Sequence, residues 1–277
     1  MSLRWTCSAL LLCVFAAGSV QSQESLTMRG RIWDFPSTHA DFEASGGGLA
    51  KGRVQKQLGA DGRMVWADGG LSGYSDKANF DQWYRDVVGL NASTPFQIEL
   101  QKVEGTDRFE YSNSAFFPID GRLLGNEDNR WTDGSGVARN FHFTTHLAGD
   151  FAFNKPEDAF TFTGDDDLWV FFDGQLGIDL GGVHSPENAT ITGKELIALG
   201  LEPGKMYRMD IFHAERHTDG SNFRIETNFN IQPPTNSELP PPALPADAPT
   251  RIVTSLTGAT CTDQNFDLAD MLSKEDA

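Results

Sequence analysis

Residues Gly164 to Gly182 read GDDDLWVFFDGQLGIDLGG. Leu168, Val170 and Phe172 alternate with Trp169 and Phe171, so large apolar side chains point to both faces of one short run. Alternation of period two is the strand pattern, and a strand apolar on both faces is central and covered on both sides. Asp173-Gly174 is a two-residue hairpin turn, since both residue types accept the positive φ that such turns need. The chain then returns through Leu176, Ile178 and Leu180. Ahead of the strand stand three consecutive carboxylates, Asp165, Asp166 and Asp167. Like charges this close repel, more strongly at the end of an apolar strand than in water. Either solvent carries that repulsion, as an acidic turn, or a cation does.

Outward from this stretch the same period recurs. Phe141, Phe143 and Thr145 share a face of NFHFTTHL, and Phe160 and Phe162 share one in AFTFTG. MYRMDIFHAE and NFRIETNFNI read as a second hairpin, joined by the polar loop from Arg216 to Ser221. One segment departs from the pattern: NFDQWYRDVVGL sets Phe80, Trp83, Tyr84, Val87 and Val88 at helical spacing, with Asn79 or Ser75 as cap. An amphipathic helix packed on a sheet is expected there. Short strands broken by Gly, Asp and Asn turns over this length predict an all-β fold, an antiparallel, jelly-roll-like β-sandwich with one or more short helices.

The chain has 277 residues and a formal charge of −17. The first 22 residues, MSLRWTCSALLLCVFAAGSVQS, join a positive Arg4 to a short apolar run and small residues, the pattern of a secretory signal peptide. Without them the charge is −18, since Arg4 is their single charged side chain. A surface this acidic repels nucleic acid and anionic membrane, and no run is long and apolar enough for membrane insertion. Cys7 and Cys13 fall in the signal, leaving Cys261 with no internal partner, so the fold rests on its core. Residues 23–231 are expected to form one domain. Residues 232–250 are a proline-rich spacer of extended character, and 251–277 a tail too short for a core and expected to be poorly ordered. The expected location is extracellular. Asn91-Ala92-Ser93 and Asn188-Ala189-Thr190 are glycosylation sequons.

RGRIWDFPSTHADFE, NFHFTTHL, FTFTGDDDLWVFFDGQLGIDLGGVH and LGLEPGKMYRMDIFHAERHTDGSNFRIET together resemble the fibro-slime domain. That domain is similar to the carbohydrate-binding sandwich of anthrax protective antigen, yeast flocculins and some glycosidases. The resemblance spans roughly Arg29 to Ile231. In the calcium-dependent lectins of that superfamily, two adjacent aspartates before the turn Asp-Gly are joined by a cis peptide and clamp Ca²⁺, which holds sugar hydroxyls. Counting back from Asp173 puts the pair at Asp165 and Asp166; Asp167 stands where a glycine often follows. A hard cation wants six to eight oxygens, so a second loop must contribute. HTDGSN is the matching loop, with Asp219 and Asn222 as further metal ligands and Asp167, Asp219, Ser221 and Asn222 joining the aspartate pair around the bound sugar.

Other chemistry fits less well. HAERH is not the HExxH order, and on a strand His213 and His217 lie about 13 Å apart, too far for two zinc bonds near 2 Å. Glu215 and Arg216 are expected to pair with neighbours or with aspartates at the sheet end, and His184 to be structural. Asp179 and Glu215 have no fixed separation that would suit glycoside hydrolysis, and Ser185 and Ser221 lack a nucleophile elbow. The expectation is a secreted, calcium-dependent, lectin-like adhesive module for glycans or extracellular matrix, and not an enzyme. A structural or signalling extracellular domain that binds protein is the alternative.

Overall fold

The computed structural model describes residues 24–43, 47–67, 73–127 and 130–234. Within them one antiparallel sheet of eleven strands folds over on itself. The strands are β1 (Ser25–Asp34), β2 (Ala92–Lys102), β3 (Phe109–Asn113), β4 (Phe143–Ala152), β5 (Ala159–Gly164), β6 (Asp167–Phe172), β7 (Gln175–Leu180), β8 (Glu187–Thr192), β9 (Tyr207–Glu215), β10 (Phe223–Thr227) and β11 (Asn230–Gln232). Their order is β7-β6-β9-β4-β1-β2-β3-β10-β5-β8, with β11 on β4. Between β2 and β3 the ladder narrows to Gln101↔Glu110 and Lys102↔Phe109, and there the sheet turns its corner into a second layer. β7 and β8 meet at the far side. The two-layer all-β architecture expected from the alternation is present.

Alternation places the main core between the layers. Leu168, Val170 and Phe172 of β6 point into it with Phe160 and Phe162 of β5 and Ile225 of β10. Phe172 meets Phe160 edge-on across the layers at 6.1 Å. Each such side chain contributes about 1.5–3 kcal/mol by leaving water. The opposite face of β6 carries Trp169 and Phe171 into a second core, formed with Phe212 and Ala214 of β9 and Trp33 of β1. The long connection between β1 and β2 roofs this face with Phe35, Phe42, Trp66, Tyr74, Phe80, Trp83 and Tyr84. Every residue of β6 is therefore buried, as a strand apolar on both faces requires. The turn after it has Asp173 at φ 52° and Gly174 at φ 74°.

Two expectations need correction. The helix expected over 79–90 is a single turn, α1 (Lys77–Phe80), capped by Asp76 and not by Asn79 or Ser75. A continuing helix would need the carbonyls of Trp83 and Tyr84 for its own ladder. Instead Thr144 Oγ1 donates to Trp83 O and Arg63 Nε to Tyr84 O at 2.9 Å, while Val87 N donates to Asn91 Oδ1 at 2.9 Å. Trp83 and Tyr84 are buried by loop packing, and Val88 stands 83% exposed. Secondly, β9 and β10 are not a hairpin. β9 pairs with β4 and β6, β10 with β3 and β5, so residues 216–222 cross from one layer to the other. The six-residue helix α2 (Gly193–Ala198) opens on a capping box between Thr192 and Glu195.

Residues 1–22 lie outside the described residues, as do 235–277, which include most of the spacer, the tail and Cys261. Among the described residues no helix is long and apolar enough to cross a membrane.

Candidate functional site

Asp165 and Asp166 sit where β5 leaves one layer and β6 enters the other, and the 216–222 crossing passes the same point. The two connections face each other because both must bridge the layers at this end. Between them opens a cleft of about 420 Å³, walled by Asp165, Asp166, Val183, His184, Ser185, Pro186, His217, Thr218, Asp219, Gly220 and Asn222. The peptide bond between Asp165 and Asp166 is cis.

Each aspartate of the triplet has a different fate. Asp165 Oδ1 accepts from Asn222 N at 2.5 Å and its Oδ2 from Asn222 Nδ2 at 2.8 Å. The amide donation turns Asn222 Oδ1 away from that carboxylate. Asp166 accepts only main-chain donors among the described residues, His184 N on Oδ1 and Arg216 N on Oδ2, both at 3.1 Å. Asp167 turns inward and is fully buried. Its Oδ2 meets Arg216 Nε at 2.6 Å, and its Oδ1 accepts from Gly182 N at 2.6 Å and from the Tyr74 hydroxyl. Arg216 is equally buried, lies against the Tyr74 and Trp83 rings at 4.8 and 4.9 Å, and donates to Asp41 O and Gly73 O. Burial works against its charge, yet the Asp167 carboxylate holds the guanidinium more firmly protonated than usual.

Arg216 therefore neutralises Asp167, and no lysine or arginine lines the cleft to do the same for the other two. Burial pushes Asp165 up, against its bonds from Asn222. Burial, then repulsion from Asp167 and Asp165, lifts Asp166 from its ordinary 3.8 to about 7 against the pull of Arg216. That displacement corresponds to roughly 4 kcal/mol against the charged form. Glu215, fully buried at the end of β9, is pushed well above the usual carboxylate range by burial and by Asp166 and Asp165. Ser221 and the main chain at His217 pull it the other way, more weakly. Without a cation, three acid groups crowd one end of the sheet.

The crossing loop is braced from the roof. Glu43 Oε1 accepts from Thr218 N at 3.0 Å, Thr218 Oγ1 at 2.5 Å and His142 Nε2 at 3.1 Å, while Glu43 N donates to Arg216 O. Asp219, at the loop's tip, has φ 137°, a conformation that costs a non-glycine residue about 1–3 kcal/mol.

The structure thus brings Asp165, Asp166, Asp219 and Asn222 to one cleft. Asp167 and Ser221, expected at the ligand, are fully buried and do not line it. Among the described residues no group of three or more His, Cys, Asp or Glu side chains is placed to hold a metal by itself. His217 and Thr218 come to the cleft with the HTDGSN loop, though neither was expected as a ligand, and His184 was not expected in the cleft at all. His184 is there for a structural reason, with its two ring nitrogens on the carbonyls of Ser185 and Leu180. His213 packs inside, Nε2 on Asp165 O at 2.8 Å, and burial lowers it to about 4, away from any ion shared with His217.

Residues 119–243, which contain the aspartate triplet and the crossing loop, match the family model of the PA14 domain. This stretch is similar to the PA14 domain. The chain is similar to protein psiQ of Dictyostelium discoideum, 37% identical over 227 residues, covering 79% of this chain and 23% of that one. The chain spans about a quarter of the length of the curated relatives psiQ and psiR. Among solved structures it is similar to the PA14 domain of the antifreeze protein MpAFP, at 9% identity and a TM-score of 0.33, covering 79% of this chain and 97% of that one. It is also similar to the A domain of epithelial adhesin 6 from Candida glabrata, solved with Galb1-3GlcNAc, at 16% identity and a TM-score of 0.29, covering 76% and 82%.

Proposed function

We propose that this chain is a secreted, adhesive, carbohydrate-binding module whose cleft holds Ca²⁺ on Asp165 and Asp166, with the ion holding the hydroxyls of a cell-surface or matrix glycan. The observation that carries the reading is the pair of buried, adjacent carboxylates that line an open cleft into which no lysine or arginine reaches, while Asp167 beside them is neutralised by Arg216. A divalent ion reverses the sign of their repulsion and removes the penalty on Asp166. Asp219, main-chain carbonyls of the Thr218–Asn222 loop, water and sugar hydroxyls would complete an all-oxygen shell, which Asn222 Oδ1 would join by turning its amide over. The PA14 match over this stretch supports the same reading. Nothing in the cleft pairs a nucleophile with a base, so binding rather than hydrolysis is the reading it favours.

The test is calorimetric titration of the chelator-treated chain with Ca²⁺, followed by a glycan array with and without chelator. Heat on Ca²⁺ addition and chelator-sensitive glycan binding are expected. No heat and no melting shift at millimolar Ca²⁺ would sink the cation. Calcium binding with an empty array would favour an extracellular domain that binds protein.

A further inference from the structure

The two sequons take no part in the cleft, and the fold treats them in opposite ways. Asn91 closes a turn: its Oδ1 accepts from Val87 N and its Nδ2 donates to Arg85 O, both at 2.9 Å. The Ser93 hydroxyl accepts from Arg31 Nη1 and donates to Asp86 Oδ1, each at 2.7 Å. Asp86 Oδ1 also takes the indole N–H of buried Trp33 at 2.7 Å. Both determinants of this sequon are thereby built into the support of the second core. A sugar on Asn91 would replace one of two amide hydrogens and crowd the Arg85 carbonyl. Asn188 and Thr190 are instead exposed, on β8, the last strand in the sheet order. Asn188 Nδ2 reaches Thr163 Oγ1 at 2.9 Å and Thr190 Oγ1 reaches Thr161 Oγ1 at 2.8 Å, both at the surface.

We propose that Asn188 is the N-glycosylation acceptor of the exported chain and that Asn91 is not. Asn188 Nδ2 attacks the anomeric carbon of an oligosaccharide carried on a polyprenyl diphosphate. The new C–N bond replaces the sugar–phosphate C–O bond, one amide proton passes to a base of the transferase, and the lipid diphosphate leaves with no change of oxidation state. Thr190 supplies the hydroxyl that the sequon requires. The modified residue lies two positions from Pro186 in the cleft wall, so the oligosaccharide stands at the rim of the cleft. This assignment rests on the export part of the reading above and not on its cation or glycan chemistry.

The experiment directs the full chain into the secretory pathway of a glycosylating eukaryotic host, using that host's leader. Intact mass is read before and after peptide-N-glycosidase, on secreted and retained fractions alike, and peptide mapping locates the converted asparagine. One occupied site at Asn188 is expected, lost in Asn188→Gln and in Thr190→Ala and kept in Ser93→Ala. A glycan on Asn91, or an unmodified chain in both fractions, overturns the proposal. Export under the chain's own N-terminus is measured separately, so a failure of export and a failure of the acceptor assignment remain distinct.

Discussion

Asp166 and Asp167 are neighbours in the chain with opposite surroundings. One carboxylate meets a buried guanidinium at 2.6 Å, the other only main-chain N–H groups. Breaking the buried pair leaves an uncompensated charge, so Arg216→Met should cost about 3–5 kcal/mol, read as a lower urea midpoint. An unchanged midpoint would mean that Asp167 finds solvent or a proton cheaply. The double change Asp165→Asn with Asp166→Asn acts differently. It removes the charge crowding while keeping side-chain volume, so the domain should stay folded, and its melting temperature should stop rising with Ca²⁺. A retained rise would place the ion elsewhere. The electrostatic cost of the triplet was legible in the sequence, but its division among three residues was not. Arg216 lies 49 positions from Asp167 and Tyr74 lies 93 positions from it, and no local pattern reports a partner that distant.

At the scale of elements, β6 behaves as its alternation requires, and Val170→Asp should abolish folding, since an unpaired buried charge costs several kcal/mol. A cooperative melt for that variant would refute the central placement of β6. Residues 79–90 show the limit of the same logic. Their apolar spacing was real, but hydrogen bonds from Thr144 and Arg63 claim the carbonyls that a helix needs, and spacing carries no information about those donors. The β9–β10 connection misled for a related reason: a short polar loop between two strands reads as a hairpin, whereas here it bridges layers. Its tip is a further test. Asp219→Gly relieves the positive φ and should stabilise the cation-free domain by up to about 1 kcal/mol while weakening Ca²⁺ binding. If Ca²⁺ affinity is unchanged, Asp219 is not a ligand.

At the scale of the whole molecule, acidity becomes a stability profile. Burial raises Asp34 to about 7 despite its bonds from Asn140 and Leu124, and Asp166 reaches about 7 as well, against an ordinary 3.8. In the folded, cation-free state these groups keep protons that the unfolded chain has released. Their contribution to stability is therefore fully present below about pH 4 and lost as pH rises through about 7, at up to about 1.4 kcal/mol per pH unit each. His213, lowered to about 4 by burial, and His146, lowered by burial against its bond to Asp210, act oppositely. Held neutral in the fold, they add stability as pH rises towards the ordinary histidine value of 6.5. The two trends offset each other below that value, and above it the carboxylates act alone. The chelated protein should thus lose melting temperature between about pH 6.5 and 8. Calcium should cancel the Asp166 share of that loss, because the ion takes the place of the proton, so its stabilising effect must be larger at pH 8 than at pH 5. Asp34→Asn should make the remaining slope shallower with and without the ion, since Asp34 lies outside the cleft, while buried Glu215 keeps its own share. Parallel melting profiles with calcium and with chelator would show that the ion and the Asp166 proton do not compete.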